Sequence, residues 1–168
     1  AVGDAGLVPQ QVHFGQQATK AVLFNEGVKQ AKGNYLFFLA PDTELIGADS
    51  LEEMLGSCMR KESGIVGARL YDGENRIAHA GVIIGLHGLA GAAFAGFPKT
   101  EEDVYSRILS RQCYSAVTGA CMLVKRSVFE AAGGFSEDFG LAFWDLDFCL
   151  RVGALGKREF KSIYLKIP

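Results

Sequence analysis

The sequence predicts an α/β fold with a mixed, mostly parallel sheet flanked by helices. Two apolar runs, "YLFFLA" (35–40) and "GIVGARLY" (64–71), lack polar-apolar alternation and read as strands buried on both faces. Stretches with helical apolar spacing or helix-start patterns lie between such runs. This alternation of strand and helix along the chain is the signature of an α/β sandwich. A length of 168 residues suits one domain around a single core, so residues 1–168 are read as a single domain.

The elements follow in order. "QVHF" is a short strand. In "GQQATKAVLFNEGVKQAKG", Ala18, Val22, Val28 and Ala31 mark a helical stripe ended by Gly33. "NYLFFLA" is a buried strand stopped by Pro41 and Asp42. Ser50 with Glu53 has the capping-box spacing and opens a helix to about Lys61. "GIVGARLYD" is a second buried strand, "DGEN" a turn, and "RIAHAGVIIG" a further strand before a loop rich in Gly and Ala. "EEDVYSRILSRQ" reads as a short helix and "YSAVTGACMLVKR" as a strand. Ser127 with Glu130 is a second capping box, closed by Gly133 and Gly134. "WDLDFCLRVGALG" is helical, and "REFKSIYLKIP" is the last strand.

Composition narrows the class. A formal net charge of -2 removes the electrostatic warrant for nucleic-acid binding. No apolar run reaches the length of a membrane span, and the first residues lack a basic-then-apolar leader pattern, so a soluble chain is expected. Cys58, Cys113, Cys121 and Cys149 form no C-x-x-C pair, and reduced thiols are expected, with Cys121 and Cys149 in the core.

Open α/β sheets place ligands at the carboxyl ends of their strands, which points to Pro41–Glu44. Asp42 and Glu44 offer hard oxygen ligands for Mg²⁺ or Mn²⁺; the alternative is a turn whose aspartate satisfies nearby amides. In the last helix, Asp145 and Asp147 point about 200° apart, so they cannot share a proton. Asp147 and Arg151, four apart with the acid first, form a helical ion pair. Asp145 in the first turn, beside Trp144, is a candidate general base; the alternative is a solvated helix-start aspartate. His79, His13 and His87 read as structural, and "GLHGLAG" matches neither a dinucleotide fingerprint nor a P-loop and reads as a mobile loop.

Taken in order, "NEGVKQAKGNYLFFLAPDTEL", "GIVGARLYDGENRIAHAGVIIGL", "YSAVTGACMLVKRSVFEAAGGFSEDF" and "FWDLDFCLR" resemble the family 2 glycosyltransferases of the GT-A fold, nearest to rhamnosyltransferase-like and O-antigen-type members. The resemblance implies a Rossmann-like GT-A sheet. It implies that Asp42 ends a D-x-D-type element and contacts the metal on a nucleotide-sugar diphosphate. Thr118, Gly119 and Ala120 correspond to the segment lining the sugar and acceptor pocket. Asp145 corresponds to the base of the family's Glu-Asp motif, with Trp144 in the glutamate's place and on the substrate side. Ala40 stands where the D-x-D-type element has its first acidic or amide residue. Residues 1–34 carry nothing like the family's strand-helix-strand nucleotide half, which implies a GT-A domain truncated at its N-terminal side and a chain that is its C-terminal part.

Two functions follow. One is an inverting glycosyltransferase domain, dependent on a divalent cation, moving a sugar from a nucleotide-sugar donor to a glycan, lipid-linked or protein acceptor in polysaccharide or cell-surface glycan synthesis. The other is a non-catalytic binding or assembly module of the same descent. A sheet without its first strands would leave an open edge, so a homo-oligomer or a rearranged sheet edge is expected. The resemblance implies a cytoplasmic location and leaves peripheral attachment at the inner face of the membrane open.

Overall fold

The computed structural model describes residues 18–86, 88–98 and 112–166. The expected strand "QVHF" and all but the last residue of "EEDVYSRILSRQ" lie outside them. In order, the elements are α1 (Lys20–Gln30), β1 (Tyr35–Leu39), β2 (Glu44–Leu45), α2 (Ser50–Cys58), β3 (Ser63–Tyr71), β4 (Ile77–His79), β5 (Val82–Ile84), β6 (Ala90–Ala92), β7 (Cys121–Lys125), α3 (Arg126–Ala131), α4 (Trp144–Ala154) and β8 (Arg158–Lys166).

The main sheet has the order β1-β7-β3-β8-β2, and β4 pairs with β3 beyond the end of β7. This corrects the expectation of a mostly parallel sheet. Among the described strands only β3 and β8 run parallel; β1–β7, β7–β3, β3–β4 and β8–β2 are antiparallel. The apolar runs were a sound guide to burial, since every residue of β3 is buried. Burial on both faces comes from helices and loops covering the sheet, and it does not fix the direction of a neighbouring strand.

One face of the sheet packs on α1, α3 and α4. Phe38 of β1, Phe129 of α3 and Phe148 and Trp144 of α4 meet there with Phe24 and Phe135, with ring centroids 4.7 to 6.0 Å apart. The apolar stripe of α1 is Ala21, Phe24, Val28 and Ala31. Ala18 is exposed and precedes the helix, whose N-cap is Thr19, with its Oγ1 accepting from the Val22 N–H. On the other face, α2 sets Met54 and Cys58 against Val66, Ala68 and Leu70 of β3.

Both expected capping boxes are displaced. α2 begins at Ser50 with Asp49 at the cap, and α3 begins at Arg126 with Lys125 at the cap; neither cap makes a side-chain bond. Ser50 is the first residue of its helix, one position past the cap, so it is not the capping residue that the box requires.

Two expected strands are also shorter than their apolar runs. "RIAHAGVIIG" breaks into β4 and β5 at Gly81, whose φ of 124° is open chiefly to glycine and whose missing Cβ makes room for the Tyr114 ring. "YSAVTGACMLVKR" becomes regular only at Cys121, because the N–H groups of Thr118, Gly119 and Ala120 bond to side chains instead of a neighbouring strand.

Candidate active site

Three chain segments converge at one end of the β1–β7 pair. The first is the turn after β1. The Thr43 N–H donates to the Ala40 carbonyl at 3.0 Å, closing a turn with Pro41 at its second position, where a fixed φ near −65° fits. Asp42 sits at the exposed corner, and among the described residues its carboxylate has no hydrogen-bond donor or ion-pair partner. The alternative reading, an aspartate used up by local amides, is not what the turn displays. Ala40 is 2 % exposed, so the position expected to carry a second acidic ligand points into the core.

The second segment is residues 118–120. The Ala40 N–H donates to the Ala120 carbonyl at 2.8 Å, which extends the β1–β7 pairing by one residue beyond Leu39 and Cys121 and ties the Asp42 turn to this segment. The Ala120 N–H donates to the Thr118 Oγ1 at 3.2 Å, the Gly119 N–H to the Asp145 Oδ2 at 2.9 Å, and the Thr118 N–H to the His79 Nε2 at 3.2 Å.

The third segment is the start of α4. Phe143, its N-cap, has φ 67°, a left-handed conformation that costs a non-glycine residue roughly 1–2 kcal/mol. With no side-chain bond from the cap, the helix start is capped from within: Asp145 Oδ1 accepts from the Leu146 N–H at 2.9 Å. Each oxygen of the half-buried Asp145 carboxylate thus accepts one main-chain N–H and retains lone-pair capacity for a further donor. Asp147 turns away and accepts from Arg151 Nε and Nη2 at 2.9 and 2.7 Å, as the i,i+4 spacing predicts.

Trp144 was expected on the substrate side. It is 4 % exposed and packs against Phe24 and Phe135, with centroids 5.6 and 4.8 Å away. Its ring also lies against Gly119, where an added Cβ would stand 2.0 Å from Cη2. The indole is therefore part of the floor under residues 118–120, and in this packing it offers no free ring face.

His79, read from the sequence as structural, is hydrogen-bonded in that manner, its Nε2 accepting from the Thr118 N–H beside this group. The only available signal was its place on a strand leading to a glycine-rich loop. Its contact, 39 residues away along the chain, is invisible to local spacing. A separate depression of about 310 Å³ beside Tyr35, Lys125 and Arg126 lies at the far end of β1 and β7, away from these groups.

The set of hard oxygens is compatible with a divalent cation of a particular kind. Asp42 and Glu44 are both exposed, and among the described residues no three His, Cys, Asp or Glu side chains gather into a metal cage. One or two protein carboxylates with the remaining ligands from a diphosphate is the usual arrangement for Mg²⁺. No helix among the described residues is long and apolar enough to cross a membrane.

No protein-family model matches the chain. It is 42% identical over 137 residues to the uncharacterized protein y4gI of Sinorhizobium fredii, covering 81% of this chain and 15% of that protein. It is 36% identical over 135 residues to the O-antigen biosynthesis protein RfbC of Myxococcus xanthus, covering 80% of this chain and 11% of that protein. The chain thus spans only a small part of the length of these relatives. Among solved structures it is similar to GalNAc-T7, crystallised with UDP, GalNAc and Mn²⁺, at a TM-score of 0.59 and 12% identity, covering 83% of this chain and 29% of that one. At that identity the likeness concerns the fold, a mixed α/β arrangement similar to that of a GT-A glycosyltransferase.

Proposed function

We propose that this chain is part of a glycosyltransferase catalytic domain that transfers a sugar from a nucleotide-sugar donor to a glycan, lipid-linked or protein acceptor in polysaccharide or cell-surface glycan synthesis. The observation that carries the reading is the Asp145 carboxylate, clamped by the N–H groups of Gly119 and Leu146 on a segment that is itself bonded to the Asp42 turn. The relative named for O-antigen biosynthesis and the structural neighbour holding UDP, GalNAc and Mn²⁺ support it.

In this reading the chain belongs to a family 2 enzyme, contributes the C-terminal part of the GT-A domain, and acts with inversion. Asp145 accepts the proton of the acceptor hydroxyl as its oxygen bonds to the anomeric carbon. The bond from that carbon to the phosphate oxygen breaks on the opposite face, and the nucleoside diphosphate leaves with the electron pair. Thr118, Gly119 and Ala120 line the sugar and acceptor pocket, and Trp144 supports them from beneath. Asp42, with the donor diphosphate, would hold a Mg²⁺ or Mn²⁺ ion, which offsets charge on the leaving group when bound.

A second reading, a non-catalytic binding module, is favoured by the buried Ala40, which leaves Asp42 without an acidic neighbour two residues before it. Thermal shift with nucleoside diphosphates separates the two. A rise in melting temperature that needs Mn²⁺ and disappears in Asp42→Ala supports the transferase. No shift with any nucleotide, with or without metal, selects the binding module.

A further inference from the structure

We propose that His79 is a positioning residue for Asp145, acting as a neutral hydrogen-bond acceptor through Nε2. The proposal rests on the transferase reading for its purpose, but its geometry stands apart from it. A backbone N–H can only donate, so the 3.2 Å contact from Thr118 requires a lone pair on His79 Nε2 and places the ring proton on Nδ1.

His79 stands at the end of β4, across from Leu70 of β3, and is therefore fixed to the centre of the main sheet. Its bond to Thr118 holds one end of residues 118–120, and the Ala40–Ala120 bond holds the other. Gly119 lies between the two anchors and donates to Asp145. Gly119 cannot be held by a side chain of its own, so its N–H direction depends on its neighbours. Releasing the Thr118 N–H leaves its peptide unit with the weak bond from Cys149 Sγ to the Val117 carbonyl, at 3.6 Å, and so loosens the adjoining unit that carries the Gly119 N–H, and with it the reference point of the Asp145 carboxylate. His79 therefore acts on the base through two main-chain links and makes no contact with it.

A helix-borne carboxylate with a single helical cap keeps rotamer freedom; the second, tertiary bond from Gly119 removes it. A general base must be aligned with the proton it takes, so loss of that alignment lowers turnover while leaving donor binding largely intact. An amide carbonyl can take the place of Nε2 as an acceptor, and an aliphatic side chain cannot.

The test uses the complete protein carrying His79→Leu and His79→Gln, with hydrogen exchange followed at single amides and steady-state kinetics run beside it. In the wild type the Thr118 and Gly119 amides are expected to be protected. His79→Leu is expected to speed exchange at both by about tenfold, the scale of one lost hydrogen bond. It is expected to lower kcat by at least about tenfold with the donor KM within about twofold. His79→Gln is expected to restore both toward wild type. An unprotected Thr118 amide in the wild type overturns the proposal, as does unchanged Gly119 exchange in His79→Leu. Failure of His79→Gln to restore Gly119 protection overturns it too, and this arm decides the matter if His79→Leu does not fold. A wild-type protein with protected amides and no transferase activity toward any donor would sink the transferase reading instead, so the two failures are told apart.

Discussion

Asp145 and Gly119, 26 residues apart in sequence, are joined by a 2.9 Å hydrogen bond from the glycine N–H to Oδ2. The bond fastens the first turn of α4 to the irregular approach to β7. It also means that the candidate base is held by main-chain N–H groups, with no side-chain donor to it among the described residues. Asp145→Asn keeps an acceptor oxygen for one of the two N–H groups and loses the proton-accepting carboxylate. Transferase turnover should fall about 10²–10⁴-fold, the scale of general-base catalysis, with circular dichroism unchanged. Turnover within a few-fold of wild type would remove Asp145 from the mechanism.

Gly119→Ala tests the floor of the site. The new Cβ would stand 2.0 Å from Trp144 Cη2, a rigid ring enclosed by Phe24 and Phe135. The indole can move only by shifting α4, which carries Asp145. Overpacking of this kind costs typically about 1–3 kcal/mol, to be read as a lower urea midpoint with an unchanged slope. Restoration of that stability by Trp144→Phe in the double variant would trace the loss to this contact.

Asn25 binds both ends of one residue. Its Oδ1 accepts the Phe135 N–H at 3.0 Å and its Nδ2 donates to the Phe135 carbonyl at 2.9 Å. Phe135 is buried among the aromatic rings, so the amide of α1 fixes the entry to the loop before α4. Asn25→Asp keeps the acceptor, loses the donor and sets a carboxylate oxygen beside a carbonyl. It should cost more than Asn25→Ala, which is expected to lose about 1–3 kcal/mol by denaturant unfolding. Equal midpoints for Asn25→Ala and wild type would show that the clamp contributes nothing to stability.

The buried thiols set an alkaline limit. Burial pushes Cys58 up from 9.0 to about 11 and Cys121 to about 12. Below pH 9.0 these thiols are protonated in both folded and unfolded chains, and their contribution to stability is present in full. Above it the unfolded chain loses protons that the folded chain keeps, so stability falls as pH rises through the folded values. Unfolding midpoints should therefore drop above pH 9.0, and less so in Cys58→Ala/Cys121→Ala measured against its own neutral-pH value. Exposed Cys113 should react with a maleimide in the native state while the buried Cys58, Cys121 and Cys149 do not.

What the sequence disclosed was mostly local. The strands at "YLFFL" and "SGIVGARLY", the helix from Trp144 and the Asp147–Arg151 pair all depend on spacing within a few residues, and all are present. Strand direction was not legible, because an apolar run reports burial and says nothing of its neighbour's sense. The Ser-x-x-Glu spacings marked both helix starts to within a residue or two, at Ser50 and Arg126, but not the cap itself, because each serine lies inside its helix. The site followed the same division. Asp42 and Asp145 could be named from their settings, whereas the bonds from residues 118–120 to His79 and Asp145 join distant segments and appear only in the fold.

Those bonds also give the site a polarity. All three amide protons of residues 118–120 are directed at side-chain acceptors. To an approaching ligand this stretch of main chain has oxygen lone pairs left to give, and no protons. A hydroxyl can use such a surface, because it brings its own proton; an ionised phosphate cannot, because it has none. In the proposed transferase, the main chain of Thr118–Ala120 would therefore suit the hydroxyls of a nucleotide sugar better than its phosphates, with the Thr118 hydroxyl the one proton donor the segment keeps.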